Sequence, residues 1–234
     1  MKSIANKSPA DKAGTPARRR LLIVDDHPFM RAGLAQLIER QPDLMVCGEA
    51  GHPAEALQWL AAHGADLVLA DMTMPGRSGL DFLKDVKALH PALPVLVVSM
   101  HDEMVYAERA LRAGARGYIM KEAGGENLLA AIRQVLGGDV YVSPRMSAQL
   151  LDGFSGRKSR QTESPFGKLT DREFEIFQLI GNGRSTREIA QQLGLSTKTI
   201  DVHRANLKAK LELQDTTALV RHAVRWTETQ GSSG

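Results

Sequence analysis

Five short apolar runs divide the first part of the chain, and polar stretches of helical length separate them. Each run is rich in Val, Ile or Leu, and together they comprise residues 21–26, 44–50, 66–71, 94–100 and 116–121. Unbroken apolar runs of this length are typical of strands in a parallel sheet that is covered on both faces. The segments between them are amphipathic; Phe82, Val86 and Leu89, for example, are spaced as on one helix face. The alternation predicts a doubly wound α/β domain with a five-stranded parallel sheet.

The pattern changes after a last helix near residues 124–136. Residues 143–154 fit one short helix, and the polar stretch that follows is rich in Gly, Ser and Pro, as linkers are. The remaining segment, 169–228, has helical periodicity without a strand pattern and predicts four helices. We therefore expect five parts: a disordered basic tail at 1–19, an α/β domain at 20–138, a linker at 139–167, an all-α domain at 168–228 and a flexible tail at 229–234.

Charge is distributed unevenly over these parts. Residues 1–19 carry a net charge of +4, residues 20–138 carry −4, residues 139–167 carry +1 and residues 168–234 carry +2, which sum to the +3 of the whole chain. An acidic first domain and a basic second domain predict different kinds of partner for the two.

Composition argues against several classes of protein. Cys47 is the only cysteine, so an intrachain disulfide framework is excluded and a reducing, cytoplasmic location is expected. We interpret Cys47 as a small buried hydrophobe in a strand rather than a catalytic thiol. No apolar run approaches the roughly 20 residues that a membrane helix needs, so no membrane partner is expected. The basic first 20 residues lack the hydrophobic stretch of a secretory signal.

Polar side chains end four of the predicted strands. Asp25 and Asp26 end the first, Asp71 the third, Ser99 the fourth and Lys121 the fifth. In a doubly wound sheet the carboxyl ends of the strands share the edge where ligands bind. Three carboxylates at one edge repel one another, and a hard divalent cation such as Mg²⁺ relieves that repulsion. The set therefore predicts a Mg²⁺ site beside a phosphoryl group.

Within this predicted site, each residue type suits one step of phosphoryl transfer. Asp71 would be the nucleophile and form an aspartyl-phosphate. Lys121 and Ser99 would contact the phosphoryl oxygens by charge and by hydrogen bond. Taken singly, an Asp at a strand end is more often a turn or cap residue, and a lone Lys is more often solvated. The prediction depends on the whole constellation.

Two alternatives concern the loop after the first strand. A nucleotide or flavin enzyme of similar winding would need a Gly-rich or Ser/Thr-rich loop there to cradle phosphate. The actual loop, residues 25–30, is acidic and would repel a phosphate that has no cation. His27 could be a metal ligand, but hard-cation sites use oxygen, and we expect His27 and Pro28 to open the first helix.

Residues 20–138 resemble the receiver domain of two-component response regulators, which has a flavodoxin-like fold. The resemblance is carried by LLIVDDHP at the first strand, DMTMPGRSGLDFL after the third, the Ser after VLVV and GYIMK at the fifth. It implies roles that we list by residue: Asp71 as phosphoacceptor, Asp25 and Asp26 as the acidic pair for Mg²⁺, Thr73 as donor of a backbone carbonyl to the metal, Ser99 as switch hydroxyl, Tyr118 as switch aromatic and Lys121 as the conserved-type lysine. It also implies a sensor histidine kinase as phosphoryl donor.

The predicted helices of the second domain contain a helix-turn-helix pattern. Thr170 and Glu173 form a capping box, Ser185 or Thr186 caps the second helix, and Ser196 caps the third. At 100° per residue, the third helix has one apolar side, with Ile200, His203, Leu207 and Leu211, and one side suited to a major groove, with Lys198, Asp201, Val202, Ala205, Asn206 and Ala209. Thr199, Arg204 and Lys208 flank that face and would reach phosphates. Asp201 either accepts from cytosine or favours the helix dipole.

Residues 169–226 also resemble the LuxR/NarL-type DNA-binding domain, through LTDREFEIFQLIGNG, STREIAQQLGLSTKTIDVHRANLKAKL and the closing helix. The resemblance implies binding to double-stranded DNA, with the closing helix at 215–228 as the dimerisation helix. We therefore expect a transcriptional response regulator that is switched by aspartyl phosphorylation and forms a homodimer when phosphorylated. It would not be an enzyme acting on a metabolite. The alternative is a receiver that serves as a phosphorylation-independent protein-interaction module on a DNA-binding protein.

Overall fold

A five-stranded parallel sheet forms the centre of the first domain. The computed structural model describes residues 17–74, 78–154 and 165–231. The strands are β1 (Arg19–Val24), β2 (Leu44–Ala50), β3 (Leu67–Ala70), β4 (Val95–Ser99) and β5 (Gly117–Met120). All four neighbouring pairs are parallel, and the strand order is β2-β1-β3-β4-β5. The predicted doubly wound α/β fold is confirmed.

Ten α-helices accompany the sheet in the described residues. They are α1 (Pro28–Glu39), α2 (Pro53–His63), α3 (Gly79–Leu89), α4 (Glu103–Ala113), α5 (Gly125–Leu136), α6 (Pro144–Phe154), α7 (Asp171–Gly181), α8 (Thr186–Leu193), α9 (Thr197–Lys210) and α10 (Thr216–Gly231). Short 3₁₀ turns lie at Lys121–Ala123 and Pro165–Lys168. Among the described residues, no helix combines the length and apolarity that crossing a membrane requires.

Both faces of the sheet are buried, which explains why the strands are apolar throughout. In β1, Leu22 and Val24 pack in the core under α2, α3 and α4, whereas Leu21 and Ile23 pack in the core under α1 and α5. All four side chains are fully buried. Successive residues of a strand point to opposite faces, so a strand covered on both sides needs an apolar residue at every position.

The segment predicted as the start of the linker packs on the first domain. Tyr141 forms a parallel bridge with Gly117, and its carbonyl accepts a hydrogen bond from the Tyr118 backbone N–H at 2.9 Å. Helix α6 places Met146, which is fully buried, in the core that includes α4. Residues 139–154 thus extend the α/β domain, and the remaining described linker residues, from Pro165, lead into the helical domain. The polar stretch at 155–164 lies outside the described residues.

Both predicted tails differ in part from the structure. Residues 1–16 lie outside the described part, but Arg19 already belongs to β1, and Arg18 pairs with Glu39 at 2.8 Å. At the other end, α10 continues to Gly231, so the first three residues of the predicted flexible tail are helical. The last three residues are outside the described part.

The helical domain begins its helices with the predicted caps. Thr170 and Glu173 form the capping box of α7, Ser185 and Glu188 form that of α8, and Ser196 accepts from the Thr199 backbone N–H at 3.0 Å. Gly194 ends α8 in the left-handed conformation, at φ 64°. Glycine reaches this conformation without the steric cost that a Cβ atom brings, which fixes the tight turn between α8 and α9.

We expect Glu173→Gln to lower the free energy of unfolding of the helical domain. Glu173 is buried, and its Oε2 accepts from the Thr170 backbone N–H at 2.8 Å and from Lys210 Nζ at 2.6 Å. Charge-assisted hydrogen bonds of this kind contribute about 1.5–3 kcal/mol. Burial opposes the charged form, but these partners hold the pKa of Glu173 below its ordinary value.

The stabilisation by Glu173 should depend on pH in a defined direction. Because the folded-state pKa is lowered, the contribution is present above the unfolded-state pKa and is lost as pH falls through the folded-state pKa. Urea unfolding followed by Trp226 fluorescence, in a Trp59→Phe background, measures the difference at pH 7 and in acid. Glu188→Gln changes the same motif on an exposed side chain and is the matched control. An equal loss in both variants would contradict the role of the buried carboxylate.

Candidate functional site

The carboxyl ends of β1 and β3 bring the predicted acidic residues together. In the sheet register, Val24 lies beside Ala70, so the next residues, Asp25 and Asp71, are neighbours. The Asp71 backbone N–H donates to the Val24 carbonyl at 2.8 Å, which continues the ladder to the edge. Asp25 is 2% exposed and Asp71 is 5% exposed. Two carboxylates are therefore buried next to each other, an arrangement that requires compensating positive charge.

Lys121 supplies that charge from the end of β5. Its Nζ donates to Asp25 Oδ2 at 2.7 Å and to Asp71 Oδ2 at 2.9 Å. Burial favours the neutral lysine, but these two carboxylates raise the pKa of Lys121 above its ordinary value. Burial also raises the pKa of Asp71, and the nearby charge of Lys121 only partly offsets it. The lysine is a fixed cation that spans the pocket.

Four side chains at this edge have ligand atoms close enough to share one metal ion. Oxygen or nitrogen atoms of Asp25, Asp26, His27 and Asp71 all lie within 4.8 Å of one another. The buried Oδ1 of Asp26 accepts no hydrogen bond from any described residue, although His27 Nδ1 lies 2.9 Å away. A buried carboxylate oxygen without a hydrogen-bond donor is available to ligate a metal, and the oxygen-rich set fits a hard cation such as Mg²⁺.

His27 is closer to the pocket than the sequence alone indicated. It precedes Pro28 and α1 as expected, but it makes no side-chain cap bond. Its backbone N–H donates to Asp25 Oδ1 at 2.8 Å, and Nδ1 lies 3.2 Å from the same oxygen. The helix start thus holds one carboxylate oxygen of the acidic pair in place.

Ser99 and Tyr118 lie on neighbouring strands at the same end of the sheet. Both are fully buried. Ser99 Oγ accepts from the His101 backbone N–H at 3.1 Å, and the Tyr118 hydroxyl donates to the His101 carbonyl at 2.9 Å. Burial raises the pKa of Tyr118 far above its ordinary value, so the ring is neutral and its hydroxyl is a donor. Two predicted switch residues therefore meet at one backbone segment.

Thr73 and His101 connect this segment to Asp71. The Thr73 backbone N–H donates to Asp71 Oδ1 at 3.3 Å, and Thr73 Oγ1 lies 2.6 Å from His101 Nε2. Burial lowers the pKa of His101, and the charge of Lys121 acts in the same direction. Sequence reasoning identified Thr73 but missed His101, because nothing in the pattern links two residues 28 positions apart.

The third helix of the second domain exposes the face that was predicted to bind DNA. Ile200 and Leu207 are fully buried on the inner side, where they pack against α7 and α8. The residues of the predicted groove face are all exposed: Lys198, Asp201, Val202, Ala205, Asn206 and Ala209. Val202 is 55% exposed, an unusual position for a valine, and no described part of the first domain covers it. The exposed face thus has the chemistry predicted for base contacts.

The three predicted phosphate contacts flank this face and are partly buried. Thr199 hydrogen-bonds to Ser196 Oγ through both its N–H and its hydroxyl. Arg204 Nη1 donates to Thr186 Oγ1 at 2.7 Å, which holds the guanidinium beside the start of α8. Lys208 lies one turn further along α9. The N-terminus of α8 and the cation of Arg204 together place positive charge beside the exposed face of α9.

Comparison with known proteins covers both domains. Residues 21–133 match the response regulator receiver domain, and residues 167–223 match the luxR family of bacterial regulatory proteins. The oxygen regulatory protein NreC of Staphylococcus carnosus is 35% identical over 210 residues, which are 88% of this chain and 97% of NreC. NreC of Staphylococcus haemolyticus is 34% identical over the same shares.

Solved structures have the same fold over the parts of this chain that they cover. RcsB from Salmonella enterica serovar Typhimurium, bound to promoter rprA with a phosphomimetic, superposes with a TM-score of 0.68 at 23% identity, over 89% of this chain and 99% of RcsB. A LuxR-family response regulator from Aurantimonas sp. SI85-9A1 has a TM-score of 0.56 at 32% identity, over 59% of this chain and 99% of that protein. The chain belongs to the two-component response regulators of the NarL/LuxR type, which join a receiver domain to a LuxR-type DNA-binding domain.

Proposed function

We propose that Asp71 accepts the phosphoryl group that switches this regulator. A carboxylate oxygen of Asp71 attacks phosphorus, the bond from phosphorus to the donor nitrogen of a kinase histidine breaks, and that imidazole leaves. The observation that carries the proposal is the contact of Lys121 Nζ with Asp71 at 2.9 Å in a pocket shared with Asp25. The fixed cation stabilises the charge of the transferred group without further reorganisation.

Mg²⁺ is the metal that the donor set fits, and it would supply charge neutralisation for the transferring phosphoryl oxygens. Asp25, Asp26 and Asp71 would hold it through carboxylate oxygens, and Thr73 through its backbone carbonyl. His27 restrains the acidic pair from outside, and oxygen donors dominate the site, so we keep His27 out of the ligand set. Lys121 compensates the carboxylates when no cation is bound.

Ser99, Tyr118 and Lys121 are proposed to respond to the phosphoryl group. Ser99 would turn its hydroxyl to a phosphoryl oxygen, and Tyr118 would fill the space that Ser99 leaves. Support comes from the contacts of both residues with His101, since a rearrangement of one disturbs the bonds of the other. The result is a shift in population between two receiver conformations.

The phosphoryl transfer is tested by intact mass after incubation with a small phosphodonor and Mg²⁺. We expect one phosphoryl adduct on the wild-type chain, none on Asp71→Ala, and none when EDTA removes Mg²⁺. Asp26→Asn should raise the Mg²⁺ concentration that is needed. Asp139→Ala removes an exposed carboxylate of the same domain and is the control. An adduct that persists on Asp71→Ala would refute the assignment.

We propose that α9 enters the major groove of double-stranded DNA. Lys198, Asp201, Val202 and Ala205 would face the bases, and Thr199, Arg204 and Lys208 the phosphates. Dimers would form through α10, on which Val220 is 37% exposed although Leu219 and Ala223 are buried. The RcsB complex with promoter DNA is consistent with this use of the fold. A dimer of this kind spans two half-sites about one helical turn apart.

The remaining assignments are proposals on the same basis. The receiver would extend from residue 20 and the DNA-binding domain from residue 168, the protein would act in the cytoplasm beside a sensor histidine kinase, and it would turn over no metabolite. The alternative, a receiver that binds partners without phosphorylation, makes no use of the pairing of Asp71 with Lys121. It predicts that DNA binding by the Asp71→Ala variant is regulated in the same way as DNA binding by the wild-type chain.

A further inference from the structure

The receiver and the DNA-binding domain touch through a contact that lies outside both proposed sites. Asp171, at the start of α7, pairs with Lys84 Nζ of α3 at 2.8 Å and with Arg109 Nη1 of α4 at 3.2 Å. Arg109 also lies over the Phe174 ring, 4.7 Å from its centre. We call this region the α4–α7 contact. The Asp171 side chain is 38% exposed, so solvent screening weakens its ion pairs. These pairs fix the orientation of α7 relative to α3 and α4 more than they stabilise the contact.

Aromatic packing supplies the buried part of the α4–α7 contact. Tyr106 of α4 is 3% exposed, and its ring packs edge-on against Phe174 at 5.1 Å and near Trp226 of α10 at 6.5 Å. Its hydroxyl also meets the Gln178 side chain. Because burial of an aromatic ring removes a large apolar area from water, displacement of Tyr106 would loosen this contact.

The other face of Tyr106 packs on His101. The two rings are stacked, with centres 4.5 Å apart and planes inclined by 15°. His101 is in turn bonded to three residues of the phosphorylation pocket: its backbone N–H donates to Ser99 Oγ, its carbonyl accepts from the Tyr118 hydroxyl, and its imidazole Nε2 lies beside Thr73 Oγ1. His101 therefore contacts the pocket through its backbone and through Thr73, and it contacts Tyr106 through its ring.

We propose that His101 is a positioning residue that couples the phosphorylation pocket to the α4–α7 contact. When Ser99 turns to a phosphoryl group on Asp71, His101 loses its bond to Ser99 and shifts, Tyr106 loses its stack, and the contact loosens. This inference rests on the proposed phosphorylation of Asp71. The groove face of α9 is exposed while the contact is formed, so the contact restrains the position of the DNA-binding domain instead of covering that face.

Fluorescence of Trp226 tests the coupling in the full chain. In a Trp59→Phe background, Trp226 is the only tryptophan, and it packs in the aromatic cluster at the contact. We expect a small phosphodonor with Mg²⁺ to move its emission to longer wavelength. His101→Ala should form the adduct, since His101 does not touch Asp71 in the described hydrogen bonds, but lose most of that shift. His52→Ala removes an exposed imidazole and should respond as the background protein does.

Intact mass on the same samples separates the two proposals. No adduct on the background protein would refute the proposed function, and this inference with it. An equal emission shift in His101→Ala and the background protein at equal adduct occupancy would overturn the coupling alone. If His101→Ala takes up no phosphoryl group, the Tyr106→Leu variant is used for the test instead, because Tyr106 is linked to the pocket through His101. It should form the adduct with a Trp226 emission that no longer responds, and an unchanged response would overturn the proposal.

Discussion

Val202→Asp is expected to weaken specific DNA binding by about 100-fold, which corresponds to about 2.7 kcal/mol. Val202 is the only valine of α9, is 55% exposed and lies on the face proposed to enter the groove. The substitution removes an apolar group suited to a thymine methyl and places a carboxylate among phosphates. Loss of one base contact accounts for about 1–3 kcal/mol, and repulsion adds to it.

Fixed salt and a matched control make the Val202 measurement interpretable. Titration of fluorescent operator DNA should compare Val202→Asp with Val140→Asp, which introduces the same charge at a receiver valine that is 44% exposed. Circular dichroism checks that both variants fold. Equal affinities for Val202→Asp and the wild-type chain would show that DNA does not approach this face of α9.

Lys121→Met is expected to uncouple phosphorylation from DNA binding and to lower stability in the absence of Mg²⁺. Asp25 and Asp71 are buried, and their contacts with Lys121 Nζ, at 2.7 and 2.9 Å, would be lost. Leaving a buried charged group without its partner costs about 2 kcal/mol or more. Mg²⁺ can compensate the same carboxylates, so added Mg²⁺ should restore much of the lost stability.

Urea unfolding of Lys121→Met with and without Mg²⁺ measures this exchange of one cation for another. DNA titration before and after phosphorylation measures the second effect, for which we expect at least a tenfold smaller response than in the wild-type chain. Lys87→Met removes an exposed cation from α3 and should change neither quantity. A Lys121→Met variant that is as stable as the wild-type chain without Mg²⁺ would contradict the charge balance described for the pocket.

Local signals in the sequence were sufficient to predict the secondary structure and the edge of the sheet at which the site lies. The apolar runs predicted all five strands, because a strand buried on both faces needs an apolar residue at every position. The capping box at Thr170 and the cap at Ser185 or Thr186 predicted two helix starts, since such caps depend on residues a few positions apart; the structure shows that Ser185 is the second cap. Asp25 and Asp71 could be paired because parallel strands end at one edge of the sheet.

Contacts between distant residues could not be predicted in this way. Lys84 and Asp171 are 87 positions apart, and neither has a local pattern that indicates the other. The same holds for the docking of Met146 against the receiver and for the stack of Tyr106 on His101. Each depends on how helices are placed in space, which periodicity within one helix does not encode.

The burial of Cys47 also differs from what the sequence predicted. It lies in β2 as predicted, but it is half-buried because β2 is at the edge of the sheet. Burial still raises the pKa of its thiol, so the protonated and unreactive form dominates at neutral pH. The apolar pattern indicated the strand correctly but not its position at the edge.

We expect a phosphoryl group on Asp71 to change the affinity of α9 for DNA. The most direct measurement is a DNA titration at fixed salt with the wild-type chain and Asp71→Ala, each with and without a small phosphodonor and Mg²⁺. We predict tighter binding by the phosphorylated wild-type chain, and no response to the phosphodonor in Asp71→Ala. Equal affinities for the phosphorylated and unphosphorylated wild-type chain, with the adduct verified by mass, would contradict the account.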